Sequence, residues 1–214
     1  MAMLRTNLSM SLDGYTAGPD QSVEHPLGVG GTRVHEWVFP LAAFHRMLGR
    51  TGGVENASSR VVEEQFVGAG AVLMGRNMFG GQPGGWGAGA WRGWWGEDPP
   101  YHLPVFVVTH HPRAPLVMQG GTTFHFVTGG LEAALAQARA AAGGLDVHLS
   151  GGASLVRQCL AAGLIDQIDV SLAPVFLGRG ERPFEGPAAA GLKLEQVRVI
   201  EAPGVTHLRY RVVR

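Results

Sequence analysis

At 214 residues the chain is long enough for one large domain or two small ones built round a continuous core. Its 17 basic and 17 acidic side chains cancel, and no basic block of five or more occurs, which leaves an electrostatic nucleic-acid or membrane-surface role without support. The longest apolar runs fall far short of the roughly 20 residues that span a bilayer, and the start MAMLRTNLSMSLDG carries no export-type apolar segment, so a cytoplasmic protein is expected.

The opening segment alternates. Leu4, Thr6, Leu8, Met10 and Leu12 share one face, and Arg5, Asn7, Ser9, Ser11 and Asp13 share the other, which predicts a strand. Its polar row is either a wet outer face or the lining of a cleft. Loop chemistry fills GYTAGPDQSVEHPLGVGGTR, after which Trp37, Leu41, Phe44 and Leu48 recur at helical spacing, with Pro40 delaying the helix start. A second helix is predicted over SSRVVEEQFVG from a serine cap, with Val62, Phe66 and Val67 inward. AGAVLMG follows as a buried strand. Residues 80–104, rich in glycine and tryptophan, form a long unpatterned stretch expected to act as a lid. The tryptophans Trp86, Trp91, Trp94 and Trp95 would either fold over a planar substrate or fill a subunit contact.

VFVVT and TTFHFVT read as further strands. LEAALAQARAAAGG reads as a helix with Leu131, Ala134, Leu135 and Ala138 inward. VHLSGGASLVRQCLAAG is strand, glycine turn and helix, with Leu155, Val156, Cys159 and Leu160 inward. The lone Cys159 is thereby expected to be inert core and cannot form an internal disulfide. QIDVSLAPVFLG is a strand entering a loop at Pro174, and the tail reads as an antiparallel pair turning at Ala202-Pro203-Gly204. With no composition break and no repeat, residues 1–214 are expected to form one α/β domain, its central sheet mostly parallel with an antiparallel C-terminal edge.

Phosphate binding by main chain needs outward N–H groups at a helix start and no side chains in the way. Ser150, Gly151, Gly152, Ala153 and Ser154 meet both conditions, although a tight strand-to-helix corner would use the same residues. LMGRNMF repeats the pattern, with glycine at a strand end followed by Arg76. A third strand ends at Thr109-His110-His111-Pro112-Arg113. Three such strand ends suit a nucleotide lying across the carboxyl edge of a sheet, where Arg76, with Arg113 or a nearby histidine, could meet an adenosine 2′-phosphate, although solvated surface arginines would use the same residues. His110 and His111 do not suit a metal pair, since neighbours on an extended chain point apart. GWGAGA (85–90) matches a dinucleotide fingerprint only formally, because no strand precedes it. No P-loop, nucleophile elbow or zinc spacing is present.

The segments MSLDGYTAG, LMGRNMF, VVTHHPR and LSGGASLVRQCLAAGLIDQIDVSLAPVFLGRGERPF, in this order, resemble the dihydrofolate reductase-like superfamily. Within it they are more similar to the reductase domain of bacterial riboflavin-biosynthesis deaminase-reductases and its stand-alone relatives. The likeness runs from Leu4 to the end, with residues 18–35 and the tryptophan segment as poor fits. It implies an NADPH-dependent reductase, usually a homodimer, that passes a hydride to a C=N or C=O of a small pterin- or pyrimidine-like molecule. Gly75, Arg76 and Asn77 would then lie beside the cofactor phosphates, and Thr109, His110 and Arg113 beside the adenosine ribose. Ser150 to Leu155 would hold the pyrophosphate. Asn7, Ser9, Ser11 and Trp37 would line the substrate side with Asp13 as the catalytic polar group, and Pro174 to Gly178 would form the opposite wall. The family pattern carries lysine where Asn7 stands, and this chain has no deaminase signature. Glu36 is not forced into the role of a pterin-binding carboxylate. Two further readings stay open: a non-catalytic nucleotide-binding relative, and a flavin- or deazaflavin-dependent reductase.

Overall fold

A computed structural model describes residues 2–80, 84–86 and 91–214. Its strands are β1 (Leu4–Ser11), β2 (Ala69–Gly75), β3 (Pro104–Val108), β4 (Leu116–Val117), β5 (Thr123–Val127), β6 (Asp146–Gly151), β7 (Gln167–Ala173), β8 (Lys193–Ala202) and β9 (Val205–Val213). They form one sheet in the order β4-β5-β3-β2-β6-β1-β7-β9-β8. The six strands from β5 to β7 in that order run parallel, and β4, β9 and β8 pair antiparallel at the two edges. This is the α/β sheet that the sequence pattern predicts.

The helices are α1 (Ala42–Met47), α2 (Ala57–Glu63), α3 (Arg76–Phe79), α4 (Gly130–Ala142), α5 (Ala153–Ala161) and α6 (Pro187–Ala190). The apolar stripes of α4 and α5 pack on one face of the sheet with Leu4, Leu8, Ala71, Leu73, Phe106 and Leu149. Cys159 is fully buried there, and burial pushes its thiol up to about 12, which fits inert core. Leu131, expected inward on α4, is only partly buried, and Ala142 closes that stripe instead.

The opposite face carries a second, aromatic core of Val72, Met74, Phe79, Tyr101, Val105, Val107 and Phe124. Trp86, Trp91 and Trp95 of the tryptophan segment pack against it. The indole N–H groups of Trp91, Trp94 and Trp95 donate to the Phe79 carbonyl at 3.0 Å, the Met78 carbonyl at 3.1 Å and the Tyr101 hydroxyl at 3.2 Å. An amphipathic ring buries well only when its one donor finds an acceptor, and here each does. Residues 81–83 and 87–90 of this segment, including most of GWGAGA, lie outside the described residues.

Two local expectations need correction. Trp37 lies in the turns after a 3-10 segment (Gly31–His35), because α1 begins only at Ala42, beyond Pro40. The cap of α2 is Asn56, whose side chain accepts from the Ser58 amide while Ser59 reaches back to the Asn56 amide. That shift turns Val61 inward, and Phe66 and Val67 follow the end of the helix.

Candidate functional site

The six parallel strands all end on the same edge, and the residues marked in the sequence are spread along it in strand order. Pairing places Gly75 beside Val108 and Met74 beside Gly151, so the ends of β3, β2 and β6 are neighbours. β1 and β7 come next, with Ser11 beside Ala173.

At the end of β6 the chain turns through Gly151, with φ +111°, and Gly152 into α5; the peptide between the two glycines is cis. No side chain caps α5, so among its first-turn amides those of Ala153 and Ser154 have no acceptor among the described residues. A Cβ at Gly152 would meet no atom within 4 Å, and one at Gly75 would sit 3.5 Å from Gly152 N and 3.6 Å from Leu155 Cβ. The two glycine turns are thus packed against each other with open space before the helix. The Ser150 hydroxyl is buried there without a hydrogen-bond partner. Leu155 contributes differently: its side chain enters the core and its amide donates to the Gly152 carbonyl.

Toward β3 the site turns basic. The Arg76 guanidinium lies 4.0 Å from the centroid of the Trp86 ring, and its Nη1 donates to the Gly80 carbonyl. The Arg113 guanidinium lies 5.1 Å from Trp86 and 5.1 Å from Phe126, with Nη1 buried and unpartnered. Burial lowers the pKa of both groups; Arg113 lowers Arg76 further, and Arg92 does the same to Arg113. Thr109 is buried, with its hydroxyl accepting from the His111 amide, whereas His110 and Asn77 point into solvent.

Past β6 the character changes. The Asp13 carboxylate accepts from the Ser11 hydroxyl at 2.5 Å, the Leu177 amide at 3.1 Å and the Gly178 amide at 2.7 Å. Desolvation works to raise its pKa, but these hydrogen bonds outweigh it and bring the group from 3.8 to about 2. Asp13 therefore clasps the loop after β7. Arg33 Nη1 holds the same loop through the Phe176 carbonyl at 3.1 Å. Trp37 Nε1 donates to the Ser9 hydroxyl at 3.2 Å, and the indole meets the His207 ring at 4.9 Å in an edge-on contact.

His207, not singled out by the sequence, is buried with Nε2 2.8 Å from the Ser58 hydroxyl and Nδ1 2.9 Å from the Ser171 hydroxyl. A neutral imidazole has one donor and one acceptor, so one serine donates and the other accepts. Burial, with Arg198 nearby, lowers this histidine to about 4. Asn7 stands one step back from the edge. It lines a polar cavity of about 20 Å³, room for about one water, together with Arg5, Glu64, His148, Asp169 and Arg209.

Among known proteins, the model of one family, the RibD C-terminal domain, matches residues 2–208. No curated protein matches significantly. A protein of Shewanella sp. PV-4 named for riboflavin biosynthesis has a similar structure, with 19% identity, 99% of each chain covered and a TM-score of 0.61. A Thermotoga maritima diaminohydroxyphosphoribosylaminopyrimidine deaminase/5-amino-6-(5-phosphoribosylamino)uracil reductase gives 13% identity and a TM-score of 0.58; it covers 99% of this chain, which spans only 57% of that protein. Dihydrofolate reductase from Enterococcus faecalis, solved with NADP(H) and RAB-propyl, gives 11% identity over 98% of this chain and 96% of its own, with a TM-score of 0.54. At these identities the structures establish a shared dihydrofolate reductase-like fold.

Proposed function

The chain belongs to the RibD C-terminal domain family, and from that premise we propose that it is an NADPH-dependent reductase of a small pterin- or pyrimidine-like molecule. One observation carries the reading: the order of chemistry along the carboxyl edge. A basic pair lies over β3 and β2, bare helix amides lie at β6, and the loop after β7, held by Asp13, flanks the ends of β1 and β7. Successive strands are about 4.8 Å apart, so the step from β3 to β1 is roughly 14 Å. An elongated ligand with a phosphate at one end, a pyrophosphate in the middle and a reactive ring at the other matches that sequence of sites.

The residues fit such a cofactor. Arg113 Nη1 and the Ser150 hydroxyl are buried polar atoms in need of partners, which phosphate and ribose oxygens supply. Arg76 and Arg113 would hold the 2′-phosphate. Gly75, Gly152, Ala153 and Ser154 would bring main chain against the pyrophosphate, where the positive end of α5 favours anionic oxygens. The nicotinamide supplies the hydride when bound.

This chain's own residues build the acceptor side. Ser9 holds Trp37 by its indole, Asp13 fixes the loop carrying Leu177 and Gly178, and Leu12 and Phe176 are exposed apolar groups beside that loop. Held at about 2, Asp13 carries no proton at neutral pH, so its part is to orient the wall rather than to protonate the product. The homodimer belongs to the same reading, since β8 leaves Leu194, Val197 and Val199 exposed where a second copy would cover them.

Calorimetric titration with NADPH, NADH and flavin mononucleotide tests the cofactor, and loss of NADPH absorbance across pterin and pyrimidine acceptors tests the reaction. Tight NADPH binding with turnover of at least one acceptor is expected. Binding without turnover would favour a non-catalytic relative. Flavin bound more tightly than NADPH would overturn the proposal.

A further inference from the structure

We infer that Trp86 is the positioning residue that makes the basic pocket selective for a 2′-phosphorylated adenosine, an inference that rests on the dinucleotide reading above. Arg76 and Arg113 reach this pocket from different strand ends and carry like charges that repel; Arg76 is tied by Nη1 to the Gly80 carbonyl, whereas Arg113 makes no ion pair among the described residues. Both guanidinium groups lie over the Trp86 ring, with Cζ 4.0 Å and 5.1 Å from its centroid. Arg92, the third cation nearby, is already paired with Glu97 at 3.0 Å.

The indole is itself anchored. Its Nε1 donates to the His111 carbonyl at 2.9 Å, and its ring packs edge-on against Phe126 at 4.8 Å and Phe79 at 5.7 Å. A ring fixed in this way offers its negative face to the two cations and offsets part of their repulsion. Arg76 keeps one N–H on the Gly80 carbonyl, so it is chiefly Arg113 whose N–H groups are left to meet a phosphate. Arg113 Nη1 is buried and has no hydrogen-bond partner, a polar atom that a bound phosphate oxygen would satisfy. Trp86 is the ring both arginines share, Arg76 being tied also to the Gly80 carbonyl and Arg113 lying also over Phe126, and it thereby sets their spacing before ligand arrives while taking no phosphate contact itself. A plain hydrophobic lid would favour any adenosine equally; a guanidinium platform favours only the one carrying the extra phosphate.

The test compares two small probes, adenosine 2′,5′-bisphosphate and adenosine 5′-monophosphate, by calorimetry on the full-length protein. The unaltered chain is expected to bind the bisphosphate at least about tenfold more tightly. In Trp86→Ala that ratio should drop to about threefold or less with monophosphate affinity held, and Trp86→Phe should restore most of it. An unchanged ratio in Trp86→Ala overturns the inference. So does an equal loss for both probes, which would make Trp86 a structural support only. No preference for the bisphosphate in the unaltered chain would instead bring down the NADPH reading, and the two failures are distinguishable.

Discussion

The two halves of the carboxyl edge use polar groups in opposite ways. Where β3, β2 and β6 end, Arg113 Nη1 and the Ser150 hydroxyl are buried without partners, and the start of α5 has no cap. Where β1 and β7 end, polar side chains are satisfied by the protein itself: Asp13 by Ser11, Leu177 and Gly178, Trp37 by Ser9, and His207 by Ser58 and Ser171. Beyond them, Arg209 of β9 pairs with Asp169 of β7 at 2.6 Å, and Arg198 of β8 with Glu64 after α2 at 2.7 Å. A buried group left unpaired costs free energy, and a fold tolerates that cost most readily where a ligand supplies the partner. One half is thus built to be completed by something else, and the other is built to keep its shape.

The sharpest way to break this contrast is to remove the hub of the self-satisfied half. His207→Ala strips both buried serines of their partner and opens a cavity under Trp37. It is expected to destabilise the fold by about 3–5 kcal/mol, read as a lower urea midpoint at unchanged slope. Affinity for adenosine 2′,5′-bisphosphate, which the proposed function assigns to the other half, should change by less than about twofold. A large loss of that affinity would mean the halves are one cooperative unit.

The reciprocal experiment strikes the open half. Arg113→Ala removes an arginine that makes no ion pair among the described residues, so stability should hardly move. NADPH affinity should fall by about 1.5–3 kcal/mol, while NADH affinity stays level. An equal loss for both nucleotides would place the 2′-phosphate elsewhere.

How far this contrast could be read from the chain follows from the range of the signals. Alternation in β1 and the stripes of α4 and α5 are local patterns, and they foretold strands and helices that the structure keeps. The glycine turn at 151–152 was visible for the same reason. The self-satisfied half was not. Ser58 and His207 are 149 residues apart and His207 and Ser171 are 36 apart, and nothing local marks a serine as the partner of a distant imidazole. Asp13 illustrates the middle case. An Asp-Gly after a strand reads equally as a turn or as a catalytic acid, and only the amides 164 and 165 residues away show what its oxygens hold.

Asp13 also gives a pH signature. Its folded pKa, about 2, is below the ordinary 3.8, so its contribution to stability is present above pH 3.8 and is lost as pH falls toward 2. Asp13→Asn should flatten urea stability across that window. It should also raise KM for the acceptor more than for NADPH, because the proposed function puts the acceptor beside the loop it clasps. A change confined to NADPH would move Asp13 to the other half.

On β6, next to the self-satisfied half, His148 is a buried group left without a hydrogen-bond partner, as Arg5 Nε is beside it, and it sets the smallest effect. His148 is 1% exposed with Nε2 unpartnered, packed edge-on to Phe66 at 4.8 Å beside the small cavity shared with Asn7 and Arg5. Burial, with Arg5 adding to it, pushes its pKa down from 6.5 to about 3. Because the folded value is the lower one, the unfolded chain takes up a proton first, and stability declines as pH falls from 6.5 toward 3. His207 contributes to the upper part of the same window, from 6.5 to about 4. His148→Phe should change stability at neutral pH by no more than about 1 kcal/mol, since an apolar ring replaces an unpaired polar one. Its acid decline should be shallower than that of the unaltered chain, with the His207 share remaining. Urea midpoints at pH 7, 5 and 4 measure this directly. If the two declines superimpose, the imidazole has a partner in solution, and the cavity that seats one water is where that partner sits.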